Sequence, residues 1–149
     1  MSIIALAADH RGFALKKELL DYVRQLGFMP LDLGTNTTGR VDSQDYAVAA
    51  AKALKDGKAE KAIIICGSGN GIAMAANRFP HVRAAVCAHV TAARRAREHN
   101  DANMLSLGAD FLGIEVIKEC VEAFLKTDFQ GGRYADRVAR LTALDPKKL

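Results

Sequence analysis

Tryptophan is absent from this chain of 149 residues, and aromatic residues make up only 6% of it. Platforms on which nucleic-acid bases stack are therefore poorly supplied. The formal net charge of +4 is only mildly basic, and the basic residues are not interleaved with aromatic ones. This composition argues against a nucleic-acid partner, whereas modest cationic patches suit a small phosphorylated ligand. Two such patches are expected, at residues 94–97 and 133–140.

Cysteine is also scarce, with three residues whose spacing does not resemble that of metal ligands: Cys66, Cys87 and Cys120. An odd count argues against a disulfide framework and for a reducing compartment. The apolar run near the N-terminus is closed by Asp9 and is too short for a signal peptide or a membrane span. We therefore expect a cytoplasmic protein with no metal site and no membrane association.

Repeats, low-complexity tracts and interdomain linkers are missing as well. Half of the residues are apolar, which is enough for one sizeable core. We therefore expect a single domain over residues 1–149.

Short apolar runs alternate with helical patterns along the whole chain. Continuous apolar strands between helices predict a parallel sheet that is covered on both faces. A short terminal helix is expected over residues 132–143. The predicted strands are residues 3–8, 28–33, 62–66, 84–87 and 104–107. The predicted helices before the terminal one are residues 12–26, 44–55, 71–78, 90–99 and 113–125.

Ligands of an open parallel sheet bind beyond the carboxyl ends of its strands. Asp9 and His10 follow the first predicted strand, and Cys66 ends the third. We therefore expect these three residues on one edge of the sheet. Asp9 and His10 could bind sugar hydroxyls and relay a proton, or they could be a helix cap and an exposed histidine.

A glycine-rich turn, Gly67-Ser68-Gly69-Asn70-Gly71, separates Cys66 from a helical pattern. It matches neither the dinucleotide-binding fingerprint nor the Gly-Lys-Ser/Thr phosphate loop. It is either a tight turn or a nest of N–H donors aimed at an oxyanion. A thiol beside a helix N-terminus can act as a base or a nucleophile, although a cysteine that ends a buried strand is more often inert.

Two further polar groups have both a structural and a functional reading. His99 and Asn100 end the fourth predicted helix, where they form either a polar helix end or a hydrogen-bonding wall. Arg133 and Arg137 are one helical turn apart and share a face, which is either solvated or binds phosphate.

Five strings together resemble the type B ribose-5-phosphate isomerase family, which also includes galactose-6-phosphate isomerase subunits. They are ADHRGFALK (8–16), ICGSGNGIAMAANRF (65–79), RAAVC (83–87), AREHNDANML (96–105) and GGRYADRV (131–138). The resemblance implies a three-layer, flavodoxin-like sandwich with a five-stranded parallel sheet. It also implies homodimers or homotetramers whose active sites are shared between subunits, and aldose–ketose isomerisation through a cis-enediolate without metal or cofactor.

The resemblance also implies roles for individual residues. Cys66 would be the base, His99 the acid that opens the sugar ring, and the glycine turn the anion hole. The implied catalytic residues are Cys66, His99, Ser68 and Asp9. The implied substrate-binding residues are Asp9, His10, Gly67, Ser68, Gly69, Asn70, Gly71, Asn100, Arg133 and Arg137.

Three positions depart from patterns seen in this family. Ile72 stands where some relatives carry a glutamate, which leaves Cys66 as the only candidate base. Asp110 stands where many relatives have a phosphate-binding arginine, and Ser43 stands where a tyrosine is expected. The leading hypothesis is interconversion of ribose 5-phosphate and ribulose 5-phosphate. The alternatives are an isomerase of a six-carbon or otherwise different sugar, or a non-catalytic sugar-phosphate sensor.

Overall fold

The computed structural model describes all residues from Met1 to Leu149. Five strands alternate with helices, as the sequence predicts, and most boundaries agree within two residues. The strands are β1 (Ile3–Ala8), β2 (Met29–Asp32), β3 (Lys61–Cys66), β4 (Ala84–Val86) and β5 (Met104–Gly108). The helices are α1 (Phe13–Gln25), α2 (Ser43–Lys55), α3 (Asn70–Ala76), α4 (Val90–Asn100), α5 (Ile114–Lys126) and α6 (Arg133–Thr142).

All five strands are parallel, in the order β2-β1-β3-β5-β4. Ala8 is in register with Ile65, and Cys66 is in register with Gly108. The carboxyl ends of β1, β3 and β5 therefore lie side by side. This arrangement brings together the segments that follow these three strands.

Helices cover both faces of the sheet, which confirms the predicted three-layer sandwich. Side chains of a strand point alternately to the two faces. In β3, Ile63 and Ile65 pack in one core with α1, α4 and α5. Ile64 and Cys66 pack in the other core with α2 and α3. Helices bury both faces of β3, which explains why this strand is apolar at consecutive positions.

Arg97 is buried and holds the end of α4, so it does not belong to the surface cationic patch expected at residues 94–97. Its guanidinium donates to the carbonyl oxygens of Ala102 and Thr127 and pairs with Asp101 at 2.9 Å. A buried guanidinium is tolerated because its donors are satisfied in this way. The remaining arginines of that patch lie near Glu98, at 3.7 and 3.8 Å.

Helix α6 packs against α4 and has no buried residue. Leu141 in α6 is half exposed, and Leu144 just beyond it is 74% exposed. The chain therefore leaves apolar surface open at its C-terminal end. None of the helices combines the length and the apolar character that a membrane span requires.

Candidate active site

Asp9, His10 and Cys66 lie on one edge of the sheet, as the sequence predicts. They follow or end the neighbouring strands β1 and β3. The amide of Asp9 donates to the carbonyl oxygen of Ile65 at 3.1 Å, which fixes the two segments to each other. We call this part of the molecule the carboxyl edge.

Cys66 lies where β3 meets the glycine turn, and only 6% of its surface is exposed. Its sulfur accepts a hydrogen bond from the amide of Gly69 at 3.1 Å. An N–H donor aimed at the sulfur stabilises negative charge on it. Elsewhere in the chain, burial raises the pKa of the Cys87 thiol to about 12 and also raises the pKa of Cys120.

The glycine turn fits closely against the end of β5. Gly69 has φ +80°, and a Cβ atom on Gly108 would lie only 2.6 Å from the carbonyl oxygen of Ser68. The Ser106 hydroxyl donates to the carbonyl oxygen of Gly69 at 2.6 Å. The amides of Gly67 and Ser68 make no hydrogen bond within the chain. The turn is thus held from behind while its amides remain open to an anionic ligand.

Replacing Gly69 with alanine is expected to lower both stability and activity. The left-handed backbone costs about 1–2 kcal/mol for an alanine. The new methyl group would also meet backbone atoms of Leu107 and Gly108 at 3.0–3.2 Å. Urea unfolding measures the first effect, and turnover of the folded protein measures the second. Gly57→Ala is the matched control, because Gly57 also has positive φ but no neighbour within 4 Å. Activity loss equal to that of Gly57→Ala would contradict the expectation.

In Asp9 and His10, one side-chain atom accepts hydrogen bonds from backbone amides and another polar atom remains available to a ligand. One carboxylate oxygen of Asp9 accepts from the amides of Arg11 and Gly12 in the loop before α1. The N-cap of α1 is Gly12 and has no side-chain cap hydrogen bond, so the helix cap expected of Asp9 is not formed. The second carboxylate oxygen of Asp9 makes no hydrogen bond within the chain. Nδ1 of His10 accepts from the amide of Val41 at 3.2 Å. A neutral ring in this state carries its hydrogen on Nε2, so it can donate to a ligand.

His99 lies in the last turn of α4 and stacks on Tyr134 from α6. The two ring centroids are 4.2 Å apart and the planes differ by 11°. Arg95 Nη1 lies 3.2 Å from Nε2 of His99. An arginine can only donate, so Nε2 is the acceptor in this contact. The ring is thus held from two sides.

Arg133 and Arg137 both approach the ring of Tyr134, a contact that the sequence analysis did not predict. Their guanidinium carbons lie 5.1 and 5.8 Å from the ring centroid. Arg133 also donates to the Tyr134 hydroxyl at 3.1 Å, which raises the pKa of its guanidinium. A cavity of about 230 Å³ beside them is lined by Arg137 and Tyr134 together with His99 and Asn100, whereas Arg133 lies outside its lining.

These residues around Tyr134 belong to the opposite edge of the sheet, which we call the amino edge. Helix α4 starts after the carboxyl end of β4 and runs back along the sheet, so His99 lies near the start of the strands. Asn103, four residues later, bonds to Ala62 at the beginning of β3. The six residues of β3 span about 17 Å. One chain therefore does not bring Cys66 and His99 together.

Comparison with known proteins shows what kind of protein carries these two groups of residues. The sequence model of the Ribose/Galactose Isomerase family matches residues 4–141. The chain is 38% identical to ribose-5-phosphate isomerase B of Escherichia coli K12, over 99% of both chains. It belongs to this isomerase family. The resemblance seen in the sequence is thereby confirmed.

Two further relatives of the isomerase show the fold and the range of named activities. The structure of ribose-5-phosphate isomerase B from Clostridium thermocellum is 41% identical, covers 99% of both chains and superposes with a TM-score of 0.94. This likeness confirms the predicted flavodoxin-like sandwich. D-erythrulose-4-phosphate isomerase of Pectobacterium atrosepticum is 37% identical over 95% of this chain and 93% of its own length.

The structure places Ile72, Ser43 and Asp110, which the sequence analysis singled out, near the carboxyl edge of the isomerase. Ile72 is fully buried, so no carboxylate takes the place of the Cys66 sulfur. The Ser43 hydroxyl lies 3.9 Å from the Cβ position of Gly71. Asp110 pairs with Arg11 at 2.8 Å. Ser43 and Asp110 therefore both lie close to the glycine turn.

Sequence reasoning missed several contacts of the isomerase. Tyr134 was visible in the matched string next to Arg133, but nothing in the pattern indicates that His99 stacks on it. His89 caps α4 by accepting from Ala92, and His81 bonds to the carbonyl oxygen of Ala51, although neither has a partner evident in the sequence. No three His, Cys, Asp or Glu side chains meet as metal ligands would.

Proposed function

We propose that this chain interconverts ribose 5-phosphate and ribulose 5-phosphate. The isomerase activity follows from family membership over nearly the whole chain. The observation that carries the chemistry is the Cys66 sulfur, which accepts a hydrogen bond from Gly69 beside unpaired amides of the same turn. A base adjacent to an anion hole is what proton transfer next to a carbonyl group requires.

Cys66 acts as the base in this mechanism. In the open-chain aldose, its thiolate takes the proton from C2, the electron pair of that C–H bond forms the C1–C2 double bond, and the carbonyl π pair moves onto O1 to give the enediolate. The thiol then returns the proton to C1 while the hydroxyl proton of O2 passes to O1, which yields the ketose and regenerates the thiolate. The amides of Gly67, Ser68 and Gly71 stabilise the oxyanion, with Ser68 adding its hydroxyl group. Each of these donors stabilises the transition state by roughly 3–4 kcal/mol. Gly69 and Asn70 shape the turn.

The other residues bind and open the sugar. His99 donates the proton that opens the furanose ring, and Asn100 beside it contacts a sugar hydroxyl. The free carboxylate oxygen of Asp9 and Nε2–H of His10 hold hydroxyl groups near Cys66, where Asp9 also relays a proton. Two guanidinium groups on one face suit a phosphate. The two that we assign to this role are Arg133 and Arg137.

A second copy of the chain completes the site in this proposal. The supporting observation is that Cys66 and His99 lie at opposite edges of one chain, so each is half of a site. Large apolar side chains are exposed at both edges, with Met74 and Phe111 each 71% exposed and Leu144 74% exposed. Covering such surface stabilises association. We therefore expect a homodimer, or a homotetramer built from such dimers.

The cellular setting is part of the same proposal. All three cysteines are free and buried, which suits a reducing compartment such as the cytoplasm. The partners are then a small sugar phosphate and further copies of this chain, with no nucleic acid and no membrane. One domain over residues 1–149 carries the reaction, without cofactor or metal.

A different sugar phosphate is the second candidate for the substrate. It is favoured by the relative named D-erythrulose-4-phosphate isomerase and by the carboxylate of Asp110 beside the glycine turn. Both observations concern the length and the charged end of the substrate. Neither changes the proton-transfer centre around Cys66.

The test compares kcat/KM of the purified protein for ribose 5-phosphate, erythrose 4-phosphate, allose 6-phosphate and free ribose. We expect the highest value for ribose 5-phosphate. Incorporation of solvent deuterium at C2 is measured in parallel, since a binding protein without catalysis would bind sugar but exchange nothing. A higher kcat/KM for another sugar phosphate would transfer the proposal to that substrate, and absence of both isomerisation and exchange with every sugar would overturn it.

A further inference from the structure

The carboxyl edge holds an ion pair to which the proposed mechanism assigns no role. Arg11 Nη1 donates to Oδ2 of Asp110 at 2.8 Å. Arg11 follows β1, whereas Asp110 follows β5, so the pair connects two segments 99 residues apart in sequence. It joins two of the loops that border the proposed substrate site.

The pair lies directly against the glycine turn. A Cβ atom on Gly67 would be 2.8 Å from Oδ2 of Asp110 and 2.9 Å from Cδ of Arg11. Backbone contacts fix both residues there, since the amide of Asp110 donates to the carbonyl oxygen of Gly67 at 3.0 Å. The amide of Arg11 donates to the carboxylate of Asp9 at 2.9 Å. The guanidinium is therefore next to the turn whose amides receive the oxyanion.

Arg11 keeps free donors in this position. Only Nη1 of its guanidinium is engaged, and 61% of its side chain is exposed. Asp110 is engaged through one oxygen and is 43% exposed. Exposed ion pairs of this kind add little to folding stability. The planar guanidinium with donors left over is, however, well suited to a phosphate.

The pair also changes the charge expected at this edge. Alone, the carboxylate of Asp110 would repel a phosphate group. Beside Arg11 that negative charge is compensated. The cation is thus supplied from position 11 and is oriented by the residue at position 110.

We propose that Arg11, oriented by Asp110, contacts the phosphate of the substrate and thereby determines its specificity for phosphorylated sugars. This inference rests on the proposed function, because it assumes that the sugar lies over the glycine turn. Arg11 is the substrate contact, and Asp110 is a positioning residue that acts through it.

The first test replaces Arg11 with methionine, which keeps a flexible apolar side chain but removes the charge. Loss of one charge-assisted contact should raise KM for ribose 5-phosphate about tenfold and weaken competitive inhibition by inorganic phosphate to a similar extent. The value of kcat should change less than twofold, as should kcat/KM for free ribose. Arg11→Lys should recover part of the loss. Arg24→Met is the control, because Arg24 is as exposed as Arg11 and pairs with Asp21 at 2.9 Å.

The second test adds Asp110→Asn to Arg11→Met. In the single variant, the carboxylate of Asp110 is uncompensated and repels phosphate, so its removal should lower KM for ribose 5-phosphate several-fold. Unchanged phosphate inhibition in Arg11→Met, or no recovery in the double variant, would overturn the inference.

Calorimetric titration with inorganic phosphate separates failure of this inference from failure of the proposed function, since it requires no turnover. Phosphate binding that depends on Arg11 in a protein without isomerase activity would support the inference and refute the function. If the protein turns over ribose 5-phosphate but its phosphate binding does not depend on Arg11, the function is supported and the inference is refuted.

Discussion

Replacing Cys66 with alanine is expected to reduce kcat for ribose 5-phosphate by at least a hundredfold, and up to about ten-thousandfold. That range is the usual contribution of a positioned general base. No carboxylate at position 72 can take over the proton, because Ile72 is apolar and fully buried. KM should change little, since the groups proposed to bind the sugar remain in place. Steady-state kinetics of ribose 5-phosphate isomerisation and solvent-deuterium exchange at C2 measure the loss of kcat.

The chain offers its own controls for this experiment. Cys87 and Cys120 are buried like Cys66, but they lie in the other core. Cys87→Ala and Cys120→Ala should lose stability through the cavities they create while keeping kcat within a few-fold of the parent. Deuterium exchange that survives in Cys66→Ala would mean that another group is the base. Equal loss of kcat in all three variants would mean that packing, not proton transfer, explains the effect.

The carboxyl edge could be predicted from the sequence to the level of single residues. The reason is that β1, β3 and β5 are parallel neighbours, so whatever follows them must meet. Asp9, Cys66 and the glycine turn occupy positions that topology alone determines. The turn also shows its constraint directly, since only glycine fits at Gly69 and Gly108.

Contacts between side chains on distant segments could not be predicted in the same way. The burial of Arg97 depends on where the carbonyl groups of Ala102 and Thr127 end up, which no local pattern encodes. The pair between Arg11 and Asp110 joins segments 99 residues apart, and from the sequence alone Asp110 appears as an isolated negative charge. Long-range pairs of this kind require the register of the whole sheet.

The placement of His99 has a further consequence for activity. The local sequence around His99 does not indicate which edge of the sheet this residue occupies. In the structure it stacks on Tyr134 at the amino edge, far from the sulfur of Cys66. The residues implied by the family therefore act together only if the amino edge of one copy faces the carboxyl edge of another.

Mixing two inactive variants is expected to restore activity if each site is built from two chains. His99→Ala and Cys66→Ala should each be nearly inactive alone. When equal amounts are refolded or produced together, half of the dimers contain one chain of each kind. A mixed dimer with two-fold symmetry has one site with both substitutions and one site with neither. About a quarter of all sites are then intact, so kcat per chain should recover to about 25% of the parent value.

The result distinguishes a site shared between two chains from a site within one chain. If both groups act within one chain, mixing the variants cannot restore activity. In that case every chain would lack either the sulfur or the imidazole, and the mixture would stay as inactive as its components. Mixing His99→Ala with Tyr134→Ala provides the matched control, since both substitutions fall on the same edge. In a mixed dimer of that pair each site carries one defect, so activity should not rise above that of Tyr134→Ala alone. Recovery to about a quarter in the first mixture and none in the second would require that Cys66 of one copy works opposite His99 of the other.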